Sequence, residues 1–129
     1  MMSVKTWQPA AQRSLSISLL EQLLVLLPQD LTDINKQVEL GSIKDVSWLM
    51  KSGGESWKEA EVLTDSDIRL LIVFFTLAEK QLSGWEAGRL SPVIDLVRIL
   101  KQRGLFQPEL RKWIKANTDN RYLPNGAVL

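Results

Sequence analysis

Leucines recur at intervals of three and four from Leu15 to Leu27, and this period predicts a helix from about Ser14 to Leu27. Leu15, Leu19, Leu20, Leu23, Leu24 and Leu27 make its inner stripe, while Ser14, Ser18, Glu21 and Gln22 make a narrow polar one. Ile17, Val25 and Leu26 widen the apolar surface, so neighbours should cover the helix on more than one side until Pro28 ends it. A weaker helical pattern runs over Asp30–Leu40, with Leu31, Ile34 and Val38 in step and Gly41 closing it. Ser42 is placed to cap a short helix over Ile43–Lys51, with Asp45 as an acidic variant of the capping box. Ser52-Gly53-Gly54-Glu55-Ser56 reads as a loop, and Trp57–Leu63 as a short helical turn.

The central helix is expected to start at Thr64-Asp65-Ser66-Asp67, where carboxylates meet the positive end of the helix dipole. From Ile68 to Leu82 it is apolar almost all round, the pattern of a helix enclosed by its neighbours, and Gly84 ends it. Trp85–Leu90 forms a connector. Ser91-Pro92 then combines a cap with a proline at the first helical position, and Gly104 stops the helix it begins. Val93, Leu96, Val97 and Leu100 face inward there; Asp95, Arg98, Lys101 and Gln102 are assigned outward. Pro108 opens a last helix to Ala116, with Leu110, Trp113 and Ile114 inside and Arg111, Lys112 and Lys115 outside. No segment alternates with period two for long enough to demand a sheet. The expected fold is an all-α, single-domain bundle of five or six helices over 1–129, with an N-terminal arm (1–13, where Trp7 alone should dock). It ends in a helix-turn-helix-like hairpin and an irregular tail (117–129).

Composition changes this picture mainly by exclusion. The 129 residues suffice for a core without metal or disulfide. There is no cysteine, so disulfides, thiolate metal sites and cysteine nucleophiles are ruled out. The absence of histidine removes the commonest general base and metal ligand. The apolar run Leu15–Leu27 is too short to span a bilayer, and Glu21 and Gln22 interrupt it, so the expectation is a cytoplasmic protein with no membrane contact. No catalytic residue, metal or cofactor is assigned.

Charge adds a positive indication. From Arg89 to Leu129 the chain carries eight basic side chains against three acidic ones, while the preceding residues carry eight against twelve. The near-neutral total thus conceals an acidic stretch followed by a basic one, which can mark an acidic-partner or nucleic-acid surface. The expected contact surface combines the outer faces of the last two helices with the tail. Arg98, Lys101, Arg111, Lys112, Lys115 and Arg121 would orient the partner, with Trp85 and Tyr122 as apolar anchors.

The leading expectation is a non-enzymatic protein that binds another protein, or a second copy of itself. The alternative is a DNA- or RNA-binding regulator using the helix pair 92–116, whose short glycine turn and basic second helix meet the local requirement of a helix-turn-helix. Glu109, at the end that would meet phosphate, argues against it. A third reading is a carboxylate-based enzyme built on Glu55, Glu59, Glu61, Asp65 and Asp67, although the two aspartates are also what a helix start requires.

Overall fold

The computed structural model describes residues 15–52 and 54–120; the expected arm and Trp7, the expected start at Ser14, Gly53, Arg121, Tyr122 and the remainder of the tail lie outside them. The described chain is all-α, with no strand among these residues. Its helices are α1 (Ile17–Val25), α2 (Ile34–Gln37), α3 (Leu40–Ile43), α4 (Asp65–Gln81), α5 (Pro92–Gln102) and α6 (Pro108–Asn117). Three 3₁₀ segments, Lys44–Lys51, Glu55–Val62 and Gly88–Leu90, complete it.

Caps appear where the chain supplies short polar side chains. Ser16 accepts from the Leu19 amide at 3.1 Å and caps α1, whose first residue, Ile17, comes three after the start that the leucine period suggested. Leu15 before it and Leu20 within the helix are both buried, the positions of a hydrophobic staple. Thr64 accepts from the Asp67 amide at 3.2 Å, and Ser91 from the Val93 amide at 3.1 Å with Pro92 following, as read for α4 and α5.

The region 30–51 departs from expectation. Asp33 makes no side-chain cap to α2; instead Gln37 turns back, and its Oε1 accepts from the Thr32 and Asp33 amides at 2.7 and 2.8 Å. Val38 is extended, so the helix read over Asp30–Leu40 is broken there. Gly41 and Ser42 lie inside α3, which Glu39 caps by accepting from the Gly41 amide at 3.2 Å. Lys44–Lys51 is 3₁₀, as is Glu55–Val62. Side chains three apart eclipse in this geometry. Trp57, Ala60 and Leu63 accordingly form one buried row, and Ile43, half-buried Val46 and Leu49 form another.

These elements enclose α4. Ile68, Leu70, Leu71, Ile72, Phe74, Phe75, Leu77 and Ala78 are buried, an arc too wide for one neighbour to cover. α5 packs along α4 most extensively, and α1, α2 and α6 also contact it. A chain of edge-to-face rings crosses the interior. Trp57 meets Phe75 at 5.6 Å and 86°, Phe75 meets Phe74 at 5.2 Å and 63°, and Phe74 meets Trp85 at 5.7 Å and 89°. The last helix packs chiefly on α4, and these contacts do not establish the helix-turn-helix-like hairpin expected over 92–116.

Polar side chains fasten the loops to this frame. Glu79 Oε2 accepts from the Ala87 and Gly88 amides at 2.8 and 3.3 Å, and Asn120 Nδ2 donates to Glu79 and, at 2.8 Å, to the Gly88 carbonyl. Gln81 Oε1 accepts from the Ile34 amide at 2.8 Å. Arg103 donates to Asp65 at 2.6 Å and to the Glu61 carbonyl at 2.8 Å, joining the end of α5 to the start of α4.

Thr76 is fully buried in α4, and its hydroxyl is the one buried side-chain polar atom among the described residues with no hydrogen-bond partner. A buried hydroxyl without a partner keeps its desolvation cost. Thr76→Val is therefore expected to hold or raise stability, by up to about 1 kcal/mol in urea unfolding. A loss of that size would show that the hydroxyl is bonded after all.

Candidate functional site

The basic surface is organised by the turn between α5 and α6. Gly104 adopts φ 72°, a left-handed conformation that costs glycine little. It closes α5 with paired bonds, Leu105 N–H to the Leu100 carbonyl at 2.8 Å and Gly104 N–H to the Lys101 carbonyl at 3.0 Å, the pattern of a Schellman cap. Leu105 and Phe106 pack partly against the core, which holds the Phe106 ring at the surface between the two helices.

Two cations gather on that ring. Lys101 Nζ and Arg111 Cζ each lie 5.7 Å from its centroid, within cation–π range. They can be no more than about 11 Å apart, where two unit charges repel by roughly 0.4 kcal/mol even in water. Both are exposed, and neither joins an ion pair among the described residues. Lys115 stands one turn beyond Arg111 on the same face of α6, and Lys112 is its exposed neighbour. Arg98 stands three residues before Lys101 on α5, so basic side chains run from α5 across the turn to α6.

Other cations are spent elsewhere. Arg98 is exposed but pairs with Asp95 at 3.3 Å, and Arg103 is taken by Asp65 and the Glu61 carbonyl. Trp85 is only 5% exposed and presents its edge to Phe74, so its expected role as a surface anchor is corrected: it is a core residue. Trp57 is buried likewise, its Nε1 donating to Ser52 Oγ at 3.2 Å. Phe106 was not singled out by the sequence, although an aromatic in a turn with cations five residues to either side was a usable signal.

The acidic candidates do not assemble. Asp65 faces Arg103, Glu55 pairs with Lys58 at 3.1 Å on the surface, and Asp67 lies in the first turn of α4. Among the described residues, no group of three or more acidic side chains is arranged to hold a metal ion. No described helix is long and apolar enough to cross a membrane.

A cleft of about 280 Å³ opens between the Glu55–Val62 segment and α5, lined by Gly54, Trp57, Glu61, Asp95, Arg98 and Ile99 among others. Asp95, assigned outward by periodicity, is 8% exposed because α5 is covered by this segment as well as by α4. Its carboxylate accepts from the Gly54 amide at 3.3 Å and faces Arg98. Burial raises its pKa above the ordinary 3.8, outweighing the lowering effects of the Gly54 bond and the Arg98 charge. The folded state therefore holds this proton more tightly than the unfolded chain. The resulting stabilisation is complete below the ordinary value, is lost as pH rises towards the raised one, and does not return above it. Asp95→Asn removes this titration. Its urea midpoint relative to the parent's is expected to climb as pH rises from below the ordinary carboxylate value through the raised one, then level off; parallel profiles would refute the assignment.

No family model matches this chain, and neither a curated protein nor a solved structure is significantly similar to it.

Proposed function

We propose that the protein is a protein-interaction module whose contact surface is the basic outer side of α5 and α6. The observation that carries this reading is the set Lys101, Arg111, Lys112 and Lys115, all exposed and without an ion pair among the described residues. Arg111 is held by the Phe106 ring, but Lys112 makes neither an ion pair nor a ring contact among the described residues. Arg111 and Lys112 stand in the amino-terminal half of α6, where a cation gains nothing from the helix dipole. An acidic partner would relieve the repulsion between these cations.

A protein suits this surface better than a nucleic acid. Duplex binding calls for a row of phosphate contacts, whereas exposed Glu59 and Glu61 lie on the segment packed against α5, and Glu109 lies at the start of α6.

The test is affinity capture from a cell extract by the full chain, set beside Lys112→Glu with Lys115→Glu. The charge-reversed protein should fold normally by circular dichroism and lose most of the captured proteins, at least about tenfold by quantitative mass spectrometry, equivalent to about 1.4 kcal/mol. An unchanged set of captured proteins, or capture abolished by nuclease, would reject the reading.

A further inference from the structure

We propose that Phe106, flanked by Lys101 and Arg111, is the docking point for a short acidic peptide segment in which a carboxylate adjoins an apolar side chain. This rests on the interaction reading above and gives the partner its chemistry. The half-buried ring is the seat for the apolar side chain, and the cations, each 5.7 Å from its centroid, are the partners for the carboxylate. Arg111 offers a planar fork that can hold a carboxylate through two parallel bonds; Lys101 adds a mobile point charge.

Three features favour such a ligand. The ring is preorganised, because the Leu105–Leu100 and Gly104–Lys101 backbone bonds fix the turn that carries it, so its share of the ordering cost on binding is small. The site's charge is unspent, since neither cation has an acidic partner among the described residues, although Arg98 and Arg103 on the same helix end each have one. Its footprint is small. Glu109 shares α6 with Arg111, and Glu59 and Glu61 are exposed on the segment packed against α5, negative charge that a few residues of peptide meet less of than a polyphosphate chain does. The ring also gives the site something a phosphate group does not use. An apolar side chain laid on Phe106 would exclude water from the ion pairs beside it and so strengthen them.

The experiment is fluorescence anisotropy on the full chain with four probes. These are a labelled peptide combining glutamates with leucine and phenylalanine, its glutamine counterpart, a labelled DNA duplex, and vesicles containing phosphatidylserine. The acidic peptide should bind most tightly, and its glutamine counterpart at least about tenfold more weakly. Lys101→Gln with Arg111→Gln should weaken the acidic peptide by a similar factor. Phe106→Leu, which keeps apolar packing but removes the ring, should weaken it severalfold, with the urea midpoint checked for each variant. Equal binding of the two peptides, indifference to Lys101→Gln with Arg111→Gln, or preference for DNA or vesicles would each overturn the proposal. The two readings separate cleanly. If that pair of substitutions leaves protein capture intact while Lys112→Glu with Lys115→Glu abolishes it, the docking point fails and the interaction module stands.

Discussion

A helix of seventeen residues whose apolar side chains point in nearly every direction cannot be stable against water or against one neighbour. α4 is such a helix, and the rest of the chain is arranged to cover it. α5 supplies the longest contact, α1, α2 and α6 contribute further ones, and the ring chain from Trp57 through Phe75 and Phe74 to Trp85 ties two connectors across it. Each large apolar side chain buried this way contributes roughly 1.5–3 kcal/mol relative to exposure. The two long 3₁₀ segments belong to the same solution. Such runs are uncommon because their hydrogen bonds are poorer, yet their eclipsed period of three lets Trp57, Ala60 and Leu63 form one narrow row.

Covering α4 leaves its polar residues at the edge of an apolar mass, and they become anchors. Glu79 and Gln81, in its last turns, each hold backbone amides of a distant connector, at Ala87 and Gly88 and at Ile34 respectively. Arg103 does the reverse at the other end, bringing the end of α5 onto Asp65 and the Glu61 carbonyl. Asp95 accepts from Gly54 across the cleft at the cost of its own burial. In each case a charged or amide side chain satisfies backbone groups in segments too irregular to satisfy themselves.

What could be read along the chain follows from this division. α4, α5 and α6 were legible because their signals are local: an apolar run, Ser91-Pro92, Gly104 and Pro108. The stretch 30–51 was not, because its form depends on Gln37 turning back to the Thr32 and Asp33 amides and on Gln81 reaching it from α4. Trp85 beside a glycine-rich connector carries no periodic signal, and only the position of Phe74 explains its burial. Asp95 was assigned outward by a correct helical period. The period gives an angle around the helix axis; it does not give the number of neighbours.

The same distinction bears on charge. Segregation of basic residues along the chain does not by itself collect them, since Arg98 and Arg103 are consumed by Asp95 and Asp65 close by in space. What brings Lys101 and Arg111 together is a stereochemical event, the left-handed residue at Gly104 that turns α5 into α6 and lifts Phe106 between them. A ring with a negative π face lowers the repulsion between two cations without neutralising either. The pair is therefore tolerated by the fold with both charges unneutralised, which is the condition for the carboxylate affinity proposed above. An ion pair within the protein would have surrendered that affinity, and a dispersed set of lysines would have lacked the geometry to use it.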